Sequence, residues 1–280
     1  MITFRTEKVT GRVTRIYAVC TELCYLVEGD DRAALIDTGS GFGSLRQVVD
    51  QLTDKPLIVL LTHGHTDHAM GCGEFMDCDK YLSHVDEYIY DLHGDDKFRH
   101  EGMALAEDGV VVTEEDYIPT IPFSSYRDLK EGDRFDLGGE SIEIYELPGH
   151  TKGSVVMLLK NERMLLLGDA CNGFTFMHEN HSISIEHYEE NLKKVKEKVA
   201  GKYDRILLSH GNGEAPLDII DGVIGVCEDI KVGNTDDLPM EFRGKKGWIA
   251  KAMGPNGRID GGTGNIVYSK EQIWTDGSLC

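Results

Sequence analysis

The sequence holds no apolar run approaching the ~20 residues that a membrane-spanning helix needs, so a bilayer-crossing role is not expected. Its first residues, Met1-Ile2-Thr3-Phe4-Arg5-Thr6-Glu7-Lys8, are mixed polar and lack the basic-then-apolar order of a signal peptide. No Cys-x-x-Cys pair occurs among the seven cysteines (20, 24, 72, 78, 171, 227 and 280), and their number is odd. That usage, with no leader recognised, points to free and mostly buried structural thiols in a reducing cytoplasm. Positive charge is scarce: 29 Lys and Arg against 49 Asp and Glu leave a net charge of -20. Nucleic acids and anionic membranes are held mainly by Lys and Arg, so neither is expected as a partner. A small anionic substrate remains compatible, because bound metal ions reverse the local field. Fixed-period repeats and low-complexity linkers are missing too. What remains is a chain of 280 residues, 40% hydrophobic and 28% charged, able to bury a sizeable core. Residues 1–232 read as one domain, with a glycine-rich extension over 233–280 packed on it.

Residues 12–19, 24–28 and 33–37 read as successive strands, with a turn at Gly29-Asp30-Asp31. Apolar residues at 45, 48, 49 and 52 have helical spacing, and Pro56 opens a strand over 57–61. A short strand at 80–83 and helices at 84–92 and 98–108 follow. The stretch 109–127 is irregular, with Pro119, Pro122, Tyr117, Phe123 and Tyr126; residues 84–127 together read as an insertion or lid. A hairpin is expected at 133–139, strands at 141–147, 154–159, 164–167 and 205–211, and helices over 184–199 and 216–231. Pro216 suits the first position of the second helix. His187 stands where a capping box after Ser184 would want an acid, which blurs the start of the first. The tail carries expected strands at 248–252 and 265–268. Its glycines lack the strand-loop-helix context of a nucleotide loop. They suit a segment that closes over the site or a neighbouring subunit, compatible with a homodimer.

The chemistry gathers at strand ends. The apolar run 57–61 passes into Thr62-His63-Gly64-His65-Thr66-Asp67-His68. His63 and His65, two apart, project from one side of an extended loop, whereas Asp67 and His68 lie past the next bend and face a second centre. Four apolar strands end in a ligand-type residue (Asp37, His63, Asp169 and His210), and a fifth delivers His150 after Pro148-Gly149. A lone histidine at a strand end is more often structural; five such endings point to side chains converging at one sheet edge. Imidazoles with a few carboxylates suit Zn²⁺ best, with Fe, Mn or Ni also compatible. Asn172, Phe174, Phe176, His178 and His181 follow Asp169 and are candidates for a substrate pocket, against a reading with the aromatics in the core and the histidines on the surface. Cys171 reads as a buried thiol, and His84, His93, His100 and His187 as solvated helix residues.

In order and context these residues resemble the metallo-β-lactamase superfamily, whose signature is H-x-H-x-D-H followed by a separate His, an Asp and a last His. Here they are His63, His65, Asp67, His68, His150, Asp169 and His210, preceded by Ile36-Asp37-Thr38-Gly39; the resemblance covers residues 12 to about 212. It implies an α+β fold, an αββα four-layer sandwich of two mixed β-sheets flanked by helices, with the site at one edge between the sheets. It also implies two divalent metal ions. His63, His65 and His150 would bind one, and Asp67, His68 and His210 the other. Asp169 would bridge them, and Asp37 would orient the site from behind. Two metals roughly 3.5–4 Å apart hold a bridging hydroxide at neutral pH. The expected activity is therefore hydrolysis of a small ester, thioester or lactone, with Asp67, Asp169 and His210 as catalytic candidates. An iron-dependent, dioxygenase-like oxidoreductase or a phosphodiesterase would use the same ligand set. The commonest zinc β-lactamases carry Cys where Asp169 stands, which disfavours antibiotic hydrolysis. Redox di-iron members carry Glu at the position of His65 and a flavodoxin domain, both absent here. Ribonuclease-type members are disfavoured by the net charge. Glyoxalase-II-like thioesterases and lactonases share the full ligand set, although an acidic insertion separates His68 from His150 and no basic glutathione-binding cluster is recognisable near the C-terminus.

Overall fold

A computed structural model describes residues 2–275. The chain divides into two compact units: residues up to Ile144 with Leu159–Glu162 and Ser209–Gly213, and Tyr145–Leu158, Arg163–Leu208 and the residues from Glu214 onward. Among the described residues no helix is long and apolar enough to cross a membrane.

In the first unit the expected strands appear as β2 (Val13–Tyr17), β3 (Leu23–Glu28) and β4 (Ala33–Ile36). An exposed edge strand, β1 (Arg5–Lys8), precedes them; its polar residues gave no apolar alternation to read. One sheet runs β1-β2-β3-β4-β5-β6-β7, adding β5 (Leu57–Leu60), β6 (Asp79–Leu82) and β7 (Arg127–Asp128). Pairing is antiparallel from β1 to β4 and parallel from β4 to β7. A parallel neighbour requires a crossover, and α1 (Leu45–Leu52) supplies the first, its Ser44 Oγ accepting the Gln47 N–H. β3 and β4 are buried almost throughout, so they read as unbroken apolar runs. The core joins Ile16, Leu26, Leu35, Val59, Phe75, Tyr90 and Tyr126, each large apolar side chain contributing about 1.5–3 kcal/mol.

After β5 come α2 (Thr66–Ala69), α3 (Glu87–His93) and α4 (Asp96–Gly102), then three single 3₁₀ turns before β7. The expected helix at 98–108 is shorter and starts earlier, because Asp95 accepts the Phe98 N–H and caps it. The insertion is pinned rather than loose. Arg99, wholly buried, donates to the carbonyls of Ile118 (2.6 Å), Ser40 (3.1 Å) and Gly41 (3.3 Å) and lies over the Tyr117 ring. A hairpin of β8 (Arg134–Asp136) with the start of β9 (Ser141–Glu146) completes this unit.

The second unit holds β10 (Val155–Leu159), β11 (Met164–Leu166), β13 (Arg205–Leu207) and β14 (Glu214–Ala215) as successive neighbours, Leu159 itself belonging to the first unit. A smaller sheet runs β12-β19-β16-β15, from β12 (Thr175–Met177), β15 (Leu238–Phe242), β16 (Lys245–Ile249) and β19 (Ile266–Tyr268). A short hairpin, β17 (Met253–Gly254) with β18 (Gly257–Arg258), lies between. The glycine-rich extension is thus woven into a sheet with residues 175–177. α5 (Ile185–Val199) buries Ile185, Tyr188, Leu192, Val195 and Val199, one stripe at helical spacing. Its start is Ser184, whose Oγ accepts the His187 N–H without help from an acid. α6 (Ile219–Lys231) begins three residues beyond Pro216.

Candidate metal centre

Two parallel strand ends build the inner part of the site in the first unit. At the end of β4, Asp37 takes φ +59°, a left-handed conformation that costs a non-glycine residue about 1–3 kcal/mol. Its buried carboxylate accepts the Thr62 N–H (2.8 Å) and Oγ–H (2.8 Å) just after β5, and Oδ2 lies 2.9 Å from His68 Nδ1. Ser209 Oγ, from the segment carrying His210, approaches the same oxygen at 3.4 Å. These charge-assisted contacts hold the backbone in its strained form.

His63 and His65 converge, with Nε2 and Nδ1 3.0 Å apart, and Thr62 Oγ lies 3.0 Å from His63 Nδ1. The chain then enters α2, which carries Asp67 and brings the His68 ring to 4.1 Å from that of His63. Asp67 Oδ2 stands 3.5 Å from His68 Nε2 and 3.3 Å from His210 Nε2. One ligand-type atom each of Asp67, His68 and His210 lies within 4.8 Å of the others. Burial pushes the Asp67 carboxyl up, but His68 and His210 outweigh it and hold the group well below the usual range. Behind the loop, buried Glu22 accepts the Ser40 N–H and Oγ–H (both 2.8 Å); burial, then the Asp67 charge, pushes its carboxyl up.

In the second unit, His150 follows Gly149, whose hydrogen-only Cα lies against the Tyr188 ring: an added Cβ would fall 2.3 Å from its Cδ2. His150 Nδ1 lies 2.7 Å from the Phe176 carbonyl, and Ser182 Oγ donates to the His150 carbonyl (2.9 Å). Asp169, nearly buried, follows β11 through Gly168 at φ +55°, and Asn172 Nδ2 reaches its Oδ1 at 3.5 Å. The His181 ring lies 6.5 Å from that of His150. Phe174 is half-buried, its N–H bound to Asn172 Oδ1. His178 is buried, with neither ring nitrogen hydrogen-bonded among the described residues; it lines a cavity of about 340 Å³ with Lys246, Trp248, Lys270 and Gln272. Cys171 is fully buried and its thiol is pushed up to about 12 by burial, which suits a structural thiol.

The donor set fits divalent metal. His68 and His150 each hold one ring nitrogen against an oxygen of a carboxylate or carbonyl, the outer contact that orients metal-binding imidazoles and fixes their tautomer. Thr62 plays a comparable part at His63. Thr62, Ser209, Asp86 and His93 were not visible as site residues in the sequence. His93, read as a solvated helix residue, instead stacks on His65 with ring centroids 4.6 Å apart. Only the position of Thr62, between an apolar strand and the first histidine, could have flagged any of them.

The description "metallo-beta-lactamase superfamily" matches residues 17–210, and the chain belongs to that superfamily. Its fold is the metallo-β-lactamase fold, α+β with mixed sheets and helices, and Asp67, His68 and His210 of the first unit form a His/Asp cluster able to hold metal. Among solved structures it is similar to the FIM-1 metallo-β-lactamase of Pseudomonas aeruginosa in its mono-zinc form: TM-score 0.60, 17% identity, 82% of this chain and 97% of that one. A metallo-β-lactamase from Pontibacter korlensis gives TM-score 0.58 at 15% identity, over 80% and 98% of the two chains. Hydroxyacylglutathione hydrolase GloC of Haemophilus influenzae is 27% identical, over 68% of this chain and 84% of that protein. The acyl-coenzyme A thioesterase MBLAC2 of Gallus gallus is 25% identical, over 67% and 72%. An uncharacterised protein of Mycobacterium tuberculosis is 33% identical over 48% of this chain, and the chain spans 58% of that relative's length.

Proposed function

We propose that the chain is a binuclear metal-dependent hydrolase of small acyl compounds, thioesters first, with esters and lactones of similar reactivity. By the family's ligand pattern, His63, His65 and His150 would hold one ion, and Asp67, His68 and His210 the other together with Asp169. Zn²⁺ suits the imidazole-rich set best. Such ions supply Lewis acidity and lower the pKa of water toward neutrality. The chain's own residues do the rest. Asp37 and the Phe176 carbonyl turn His68 and His150 so that each presents Nε2. Asp67 directs Oδ2 toward His68 and His210, which leaves Oδ1 to take a proton from water.

The observation that carries this reading is the orientation of His68 and His150 from behind, combined with relatives whose names specify thioester and acyl hydrolysis. The test is metal analysis together with a panel of acyl-thioesters, lactones, esters and phosphodiesters. Two metal equivalents and thioester turnover, abolished by chelation and restored by Zn²⁺, are expected, and Asp169→Ala should lose the second equivalent. Full hydrolysis by Asp169→Ala with two tightly held ions, or oxygen consumption in place of hydrolysis, would overturn the reading.

A further inference from the structure

We propose that the insertion after the ligand loop is a clamp on the first pair of histidines, with Asp86 and His93 as positioning residues for His63 and His65. The inference rests on the metal-centre reading above and assigns a task to residues of the first unit alone.

Three observations carry it. First, the peptide between the two histidines is held from α3. The Gly64 N–H donates to Asp86 Oδ2 at 2.9 Å, and Asp86 is 1% exposed. This is a charge-assisted bond in a dry setting, roughly twice as strong as a neutral one. Second, there is no slack behind that bond. A Cβ on Gly64 would stand 3.1 Å from Ile89 Cγ2 and 3.2 Å from the Asp86 carbonyl oxygen, so any larger residue would push the loop or Ile89 back by a few tenths of an ångström. Third, the His65 ring has two ring neighbours. His63 lies T-shaped to it at 4.6 Å, and His93 stacks on it at 4.6 Å with the planes 21° apart. Phe98 backs His93 in turn at 4.3 Å and 20°. Thr66 Oγ donates to the His93 carbonyl (3.1 Å), which fixes the end of α3 against the start of α2.

Two donors two residues apart on an extended loop would otherwise swing separately, because backbone and side-chain torsions both lie between them. Asp86 fixes the first set and the His93–Phe98 stack the second. His68, whose ring centroid lies 4.1 Å from that of His63, is oriented by Asp37. The contacts of Asp86 and His93 fall on the His63–His65 pair.

The test uses the full chain and Co²⁺ as probe, with each half followed by visible absorption and the total by elemental analysis. Asp86→Ala and His93→Ala should weaken the His63/His65 half by about 10- to 100-fold, the range for lost outer partners of metal ligands, and leave the other half within about threefold. Asp86→Asn, which folds with the same shape and keeps an acceptor, and His93→Phe, which keeps the stack, should each recover most of the loss. In the metal-free chain, Gly64 amide exchange should accelerate at least about tenfold in Asp86→Ala and remain unchanged in His93→Phe. Equal weakening of both halves in step with a lowered Tm would assign Asp86 and His93 to general stability and overturn the proposal. So would unchanged affinity in all four variants. A wild-type chain that binds no Co²⁺ at the histidine pair would overturn the metal-centre reading itself, a different result from any of these.

Discussion

Replacing Asp37 by alanine removes the acceptor for the Thr62 N–H (2.8 Å) and the partner of His68 Nδ1 (2.9 Å), in a position 1% exposed to solvent. The Thr62 hydroxyl can turn elsewhere, but those two groups cannot, and a buried polar group left unmade costs about 1–3 kcal/mol. Alanine at φ +59° has no side-chain oxygen to support the left-handed backbone, which adds roughly 1 kcal/mol. The expected loss is about 3–7 kcal/mol, a large share of the 5–15 kcal/mol typical of a folded chain. Asp37→Gly loses the same bonds without the Cβ penalty and should be about 1 kcal/mol more stable than Asp37→Ala. Asp37→Asn keeps an acceptor for Thr62 and should lose only about 1–2 kcal/mol. Both tryptophans, 248 and 274, lie in the second unit, so far-UV circular dichroism in urea, on metal-stripped protein, is the appropriate probe. An alanine variant within about 1 kcal/mol of wild type would refute the reasoning, and equal stability of the alanine and glycine variants would refute its backbone part.

At pH 8 Cys24, Cys72, Cys171 and Cys227, all buried with thiols pushed up by burial, should escape alkylation in the native chain while part-exposed Cys20 and Cys78 are modified first; mass spectrometry after a timed pulse decides, and equal labelling would contradict their burial. Cys280 lies outside the described residues. Burial alone would raise the Glu189 carboxyl, but Lys193 (2.6 Å) and Lys231 (2.5 Å) outweigh it and hold it below the ordinary range. A depressed acid stabilises above its unfolded pKa of about 4.3 and loses that contribution as pH falls through the folded value. Wild type should therefore lose stability below about pH 4 by a component that Glu189→Gln lacks, and parallel Tm–pH curves for the two would argue against it. Arg99→Met strands the carbonyls of Ile118 and Ser40, while that of Gly41 keeps the Ile118 N–H, at a cost of roughly 2–6 kcal/mol. Limited proteolysis within 103–120 should quicken at least tenfold, and an unchanged cleavage rate would mean that the insertion is held by other means.

Strands that bury both faces were legible, because Leu23–Glu28 and Ala33–Ile36 leave no solvent side for polar residues to mark. The ligand-type residues were legible for a related reason: a strand that ends in histidine or aspartate changes chemistry within one residue. The edge strands Arg5–Lys8 and Leu238–Phe242 were not, since strands exposed at all or nearly all positions have no buried face to mark with apolar residues. Pro216 suits a helix start, yet the chain delays the helix to Ile219 and places Asp218 at its N-cap. His93 looked like any exposed histidine near a helix end, because stacking on His65 depends on a fold-back of 28 positions that no local pattern encodes. Asp86 was hidden likewise: its partner is a backbone N–H, and backbone groups leave no trace in a sequence.

The contact between Asp37 and Ser209 joins residues 172 positions apart, and Arg15 and Tyr25 reach Gly213 over 198 and 188. Closing a loop of that length costs about 4–5 kcal/mol, and at roughly 5–20 residues per second the ribosome delivers Ser209 on the order of ten to thirty seconds after Asp37. During that interval the nascent chain displays Asp37, His63, His65, Asp67 and His68 with no His210 yet made. The first unit thus receives one of its own pieces nearly last, and its assembly is timed by translation as much as by packing.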